Sequence, residues 1–110
     1  MRLETQTIDG VLVLHPVGRL DSTSSPELER VLTENLEAGT KRLLFDFGDL
    51  DYISSAGLRV VLLAGKRLRA VQGKMALVGM RDVVREVFEM SGFLSLFAVA
   101  ETVEAGIGKV

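Results

Sequence analysis

The apolar positions of this chain change period several times. Residues 3–8 alternate weakly between apolar and polar and end at Asp9-Gly10, a pair that predicts a hairpin turn between two β-like runs. Val11-Leu12-Val13-Leu14 is continuously apolar and predicts a buried strand running to about Val17. Pro16 weakens its far end or places it near an edge. The stretch 18–25 reads as a polar connection. Ser24 and Glu27 then have capping-box spacing, and Pro26 suits a first helical turn. Leu28, Val31, Leu32 and Leu36 recur at helical spacing, with Glu29, Arg30, Glu34 and Glu37 between them, until Gly39 ends the helix.

Leu43-Leu44-Phe45-Asp46-Phe47 is a strand-length run closed by Gly48. A polar turn, Asp49-Leu50-Asp51, leads through Tyr52-Ile53 into a second helical pattern from Ser55 to about Val71, carried by Leu58, Val61, Leu62 and Leu68. Val60 and Leu63 make its first half apolar on a second side, and Gly73 closes it. Met75–Val78 predicts a further buried strand. A helix over 81–91 follows, with Val84, Val87 and Phe88 inward and Arg81, Asp82, Arg85 and Glu86 outward. Leu96–Val99 reads as the last strand, and 101–107 as a short helix on Val103 and Ile107. The order β-β-α-β-α-β-α-β-α predicts an α/β fold. The expected architecture is a small mixed sheet, parallel from the second strand onward, with the first strand antiparallel at one side and about four covering helices. Strands that are continuously apolar, not alternating, argue that both faces of the sheet are covered.

The 110 residues, 47% hydrophobic and 25% charged, match a soluble globular chain with length for one core, so one domain over 1–110 is expected. Thirteen Lys and Arg against fifteen Asp and Glu leave a net charge of −2, which provides no footprint for nucleic acid. No apolar run approaches the ~20 residues of a membrane span, and Met1-Arg2-Leu3-Glu4 lacks the apolar stretch of a signal peptide. A cytoplasmic chain without membrane insertion is expected. The absence of cysteine excludes a disulfide framework, a thiolate metal site and a cysteine nucleophile. His15 is the only histidine, so no histidine metal cluster exists, and it reads as a partly exposed strand-end residue. Phosphate-cradling glycine loops and the nucleophile elbow are missing as motifs. Asp46, Asp49 and Asp51 crowd one strand end, where an exposed turn is favoured over a magnesium site. No catalytic residue, cofactor or metal is expected.

The unusual spot is Ser54-Ser55-Ala56-Gly57, where two hydroxyls meet a helix start. One of them is needed as an N-cap. The small Ala56 and Gly57 are read as leaving backbone and hydroxyl open to an approaching partner. A helix N-terminus favours negative charge, so a phosphate added there is stabilised and brings about −1.5 to −2 charge.

Asp51-Tyr52-Ile53-Ser54-Ser55-Ala56-Gly57-Leu58, with the helix behind it, resembles the signature of the STAS domain of bacterial anti-sigma factor antagonists. Gly18-Arg19-Leu20-Asp21, the strand Leu43–Phe47, the turn Met90-Ser91-Gly92-Phe93 and Leu96-Phe97 resemble further family segments in the same order, over essentially the whole chain. The resemblance implies a partner-switching protein. Its unphosphorylated form binds an anti-sigma factor that is also a serine kinase, and the sigma factor is released. Phosphorylation of one serine breaks that complex, and a cognate phosphatase resets it.

The family's acceptor lies two residues before the helix-start glycine, which is Ser55 here. The preceding residue is often aspartate in the family and is Ser54 here, which makes Ser54 a rival acceptor. The implied docking surface comprises Asp21, Ser22, Ser54, Ser55, Ala56, Gly57, Arg59, Val60 and Leu63, with Lys66 beyond. Asp21 reads equally as a turn or capping residue, and Val60 and Leu63 equally as packing on a neighbouring helix. A monomer when free is the simplest reading. Two other uses of the fold are a scaffold subunit of a signalling assembly and a soluble subunit of a membrane transport system.

Overall fold

The computed structural model describes residues 1–110. Its strands are β1 Arg2–Ile8, β2 Val11–Leu20, β3 Arg42–Asp46, β4 Leu50–Ile53, β5 Lys74–Val78 and β6 Ala98–Ala100. Its helices are α1 Ser25–Glu37, α2 Ser55–Ala70, α3 Asp82–Met90 and α4 Val103–Ile107, with one 3₁₀ turn at Leu94–Leu96. The sheet runs β1-β2-β3-β5-β6, and β4 pairs with β2 off this path. Only the β1–β2 pair is antiparallel. The predicted mixed, mostly parallel sheet with four helices is therefore observed.

The β1–β2 hairpin turns on Asp9 (φ 52°) and Gly10 (φ 78°). Two consecutive left-handed residues make the turn whose twist matches that of the flanking strands. Each strand of the central sheet divides its side chains between two faces. Leu12, Leu14, Leu43, Phe45 and Leu77 join Leu28, Leu32, Val61, Leu68, Val84 and Phe88 in the larger core, beneath α1, α2 and α3. Val11, Val13, Leu44, Ala76 and Val78 face the other way, against Val103 and Ile107 of α4. Coverage on both faces explains why these strands do not alternate. On the larger side Phe45 and Phe47 stack with ring centroids 5.4 Å apart, and Phe88 and Phe97 meet edge-on at 6.1 Å.

Three expectations need correction. First, β2 continues to Leu20 instead of stopping near Val17, and Pro16 is buried in mid-sheet, not near an edge. Pro16 is tolerated because β2 changes partner around it. Leu12–Leu14 pair with β3, while Gly18–Leu20 pair with β4 across an irregularity at Gly18/Arg19. No ladder bond to either parallel neighbour is required of its missing N–H.

Second, the supposed polar turn at 49–51 contains the start of β4. Leu50 and Ile53 are buried and Asp51 is exposed, a period too short to stand out over four residues. The sheet thus has six strands where the sequence predicted five. Third, the last strand lies two residues later than expected. Leu94–Leu96 forms the 3₁₀ turn, and Leu96 is exposed.

Candidate functional site

The C-terminal ends of the paired strands β2 and β4 bring two loops together at one end of the sheet. The Ser54 N–H donates to Leu20 O at 2.8 Å, which extends the β2–β4 pairing to the residue before α2. On the outer face of this pair, Arg19 lies opposite Tyr52 with its guanidinium 4.2 Å from the ring centroid.

The β2–α1 loop is organised by Asp21. Its Oδ1 accepts from the N–H groups of Thr23 (3.0 Å) and Ser24 (3.1 Å), and the Ser24 hydroxyl lies 3.2 Å away. Ser24 Oγ accepts from the Asp21 N–H at 3.0 Å and is 2.9 Å from Arg19 O. The Asp21 carbonyl accepts from both the N–H and the hydroxyl of buried Ser25. The bond from the Ser24 N–H, aided by Thr23, the Ser24 hydroxyl and the Arg19 charge, holds the Asp21 carboxyl below its ordinary pKa. The predicted capping box is corrected here. Ser24 is the N-cap residue of α1, but its hydroxyl turns back to Asp21 and makes no capping bond into the helix.

At the β4–α2 turn the two serines have different fates. Ser54 takes an extended N-cap conformation, and its Oγ accepts from the Gly57 N–H at 3.3 Å. Ser55, the first helical residue, is exposed, and its hydroxyl has no hydrogen-bond partner in the protein. Gly57 is buried, and a Cβ there would lie 2.7 Å from Leu20 Cγ and 3.0 Å from Ile53 Cγ1. The glycine thus lets α2 seat against β2 and β4. It does not open the backbone to a partner, which corrects that part of the expectation. Val60 is likewise fully buried within the larger core and offers no surface for docking.

A groove of about 420 Å³ lies between the start of α1 and the start of α2. Ser22, Ala56 and Arg59 line it, together with Ser25, Pro26 and Glu29. Arg59 Nη2 crosses from α2 to Glu29 Oε1 on α1 at 2.8 Å. Leu63, one turn beyond Arg59, is half-buried, and Lys66 is exposed. Glu29 was not anticipated, because the sequence marks it only as one of several polar positions on α1. Its place at the groove depends on the two helix starts lying side by side.

The three aspartates and His15 form a different assembly. Asp46 Oδ1 accepts from the Gly48 N–H at 3.0 Å. Asp49 Oδ2 is 2.8 Å from His15 Nε2, and Glu4 Oε1 is 3.3 Å from His15 Nδ1. Arg81 pairs with Asp51 and Asp49 and donates to Gly48 O. These carboxylates tie β1, β2, the β3–β4 turn and the start of α3 together. His15 is correspondingly half-buried in mid-strand, not at a strand end. No helix is long and apolar enough to cross a membrane.

Comparison with known proteins places this geometry in context. The STAS domain family model matches residues 2–106. Over 105 residues the chain is 50% identical to BtrV of Bordetella bronchiseptica, which carries the name anti-sigma factor antagonist. That match covers 96% of this chain and 90% of BtrV. The crystal structure of an anti-sigma factor antagonist from Thermotoga maritima superposes with a TM-score of 0.94 at 19% identity, over 98% of this chain and 93% of that one. SpoIIAA, the Bacillus cell fate determinant in its phosphorylated form, superposes with a TM-score of 0.79 at 23% identity, over 97% of each chain. At these identities the two structures speak for the fold.

Proposed function

The chain belongs to the STAS-domain family of anti-sigma factor antagonists, and from that premise we propose that it is a cytoplasmic partner-switching regulator, residues 1–110 acting as one STAS domain. Its unphosphorylated form binds an anti-sigma factor serine kinase and frees the sigma factor. Phosphorylation of Ser55 ends that binding, and a phosphatase restores it. The observation that carries the proposal is the pair of serine environments at the head of α2. Ser54 is engaged as the N-cap, whereas the neighbouring Ser55 hydroxyl is exposed and unengaged. A kinase needs a hydroxyl it can reach, and it supplies the nucleotide, metal and base itself. The chain therefore acts as substrate and binding partner, not as a catalyst.

The docking surface is the end of the molecule that carries Asp21, Ser22, the Ser54–Ala56 turn, Arg59 and Leu63. A neutral serine at its centre can be covered at little cost. A phosphoserine there must lose its hydration against a surface shaped for a hydroxyl. A dianion buried against a partner surface that offers it no cation costs about 3 kcal/mol, even with one guanidinium of its own chain beside it, which lowers affinity by roughly a hundredfold. No rearrangement of the fold is required for such a switch.

The test is intact-mass spectrometry after incubation with ATP, magnesium and the anti-sigma kinase encoded nearest to this gene, on wild type, Ser54→Ala and Ser55→Ala. One added phosphate, lost only in Ser55→Ala, is expected. Loss only in Ser54→Ala would keep the switch and move the acceptor. No phosphate on any variant, with the kinase active on a control substrate, would favour a scaffold or transporter-subunit role.

A further inference from the structure

The Arg59–Glu29 pair lies beside the proposed acceptor and joins α2 to α1. Arg59 extends from α2 to α1 and makes one contact, Nη2 to Glu29 Oε1 at 2.8 Å. Its side chain is 66% exposed. An ion pair of that exposure is weak and easily exchanged. Ser55 lies four residues before Arg59 on the same helix, so the two side chains share a face with Cβ atoms about 5–6 Å apart. An anion four residues N-terminal to a cation is the more favourable order.

We infer that phosphorylation of Ser55 transfers the Arg59 guanidinium from Glu29 to the phosphate, leaving Glu29 as a free carboxylate on the opposite wall of the groove. This rests on Ser55 being the acceptor. Glu29 offers Arg59 a single negative charge on another element. Phosphoserine offers nearly two charges and three acceptor oxygens on the same helix face, a better match for the forked guanidinium. Arg30, the other cation nearby on α1, is paired with Glu34 at 3.0 Å. The switch therefore acts twice on the docking surface. It adds a phosphate at the head of α2, and it draws the Arg59 guanidinium off Glu29, exposing that carboxylate on the α1 wall of the groove. No helix has to move.

The experiment uses the full chain with phosphoserine genetically encoded at position 55, so no kinase is involved. The second ionisation of the phosphate, near pH 6 for the free group, is followed by ³¹P NMR in wild type, Arg59→Gln, Arg59→Lys and Glu29→Gln. The other charges facing the site, Asp21 on the loop and Arg30 and Glu34 on α1, are the same in all four. Arg59→Gln is expected to raise this ionisation by about half a pH unit, roughly a threefold gain in proton affinity. Arg59→Lys should restore part of the shift, and Glu29→Gln should lower the ionisation below wild type by removing the competitor. Matching amide spectra of the unphosphorylated variants confirm that each is folded. The same ionisation in Arg59→Gln and wild type overturns the inference, as does no effect of Glu29→Gln alongside an Arg59 effect, because competition would then be absent. A kinase that modifies Ser54 would overturn the acceptor assignment by mass spectrometry without altering this titration.

Discussion

Both long helices open on a pair of serines after a parallel strand: Ser24-Ser25 before Pro26 in α1, and Ser54-Ser55 before Ala56 in α2. In each case the first serine is the N-cap and the second is the first helical residue. Their environments nevertheless diverge. In α1 both hydroxyls are engaged with the loop, Ser24 with Asp21 and Arg19, and buried Ser25 with the Asp21 carbonyl. In α2 the first hydroxyl caps the helix and the second is exposed. The difference lies in what precedes them. An aspartate stands three residues before each pair, but Asp21 lies in a loop that folds back, so that its carboxylate meets Ser24 and its carbonyl meets Ser25, whereas Asp51 lies within β4 and pairs with Arg81. A free hydroxyl thus reflects the lack of a nearby acceptor, not the serine pair itself.

The sharpest way to break the comparison is at the third helical residue, Glu27 in α1 and Gly57 in α2. Glu27 is exposed, and Gly57 is buried against Leu20 and Ile53. Gly57→Ala forces a methyl group to within 2.7 Å of Leu20 Cγ in a packed core. Overpacking of this kind costs about 1–3 kcal/mol, which outweighs the helix-propensity gain of under about 1 kcal/mol. Glu27→Ala should stay within about 0.5 kcal/mol of wild type, as exposed positions usually do. Urea denaturation of the two variants is expected to show a lower midpoint for Gly57→Ala only. Equal midpoints would mean that α2 is not seated as tightly as these distances require.

The second serines offer a smaller and more direct contrast. Ser25→Ala removes a buried hydroxyl that donates to the Asp21 carbonyl, at about 0.5–1.5 kcal/mol. The carbonyl keeps its bond from the Ser25 N–H, so the loss stays at that level. Ser55→Ala removes a hydroxyl that bonds to nothing in the protein and should change stability by less than about 0.5 kcal/mol. Denaturation midpoints that fall for Ser25→Ala and hold for Ser55→Ala are the expected result. A comparable fall in both would show that Ser55 has a structural role that its exposure hides.

What could be read from the sequence divides along the same physical line. The elements with strong period, α1, α2, α3 and the apolar runs in β2, β3 and β5, stand at or near their predicted places, because each carries its own burial pattern. The four-residue β4 could not be read this way. Its two buried residues, Leu50 and Ile53, make sense only once β2 is known to run on to Leu20 beside them. Ser55 was legible as a candidate through its spacing to Gly57, yet the reason assigned to Gly57 was wrong, since its clash with Leu20 is a tertiary fact. Val60 was open to docking and to packing alike, because a helix apolar on two sides leaves open which side meets solvent, and the fold buries it in the larger core. Glu29 was missed for the complementary reason: no local pattern reports which polar residue will face a neighbouring helix.

The finest contrast is in how the two helix starts respond to acid. Asp21 titrates and Ser54 does not. The Asp21 pKa is lowered in the folded chain, chiefly by the bond from the Ser24 N–H. A carboxyl with a lowered folded pKa adds stability that is fully present above its unfolded pKa, about 3.9, and is lost as pH falls through the folded value. Asp21→Asn keeps a carbonyl acceptor for Thr23 and Ser24 but removes the charge. Its stability deficit relative to wild type should therefore be level at neutral pH and shrink below about pH 4 as Asp21 itself becomes protonated. Ser54→Ala removes a neutral cap, and its deficit should stay constant across the same range. Denaturation of wild type and both variants from pH 7 to pH 3 separates the cases. A constant Asp21→Asn deficit would mean that the loop is held by hydrogen-bond geometry alone, and that both helix starts are organised without charge.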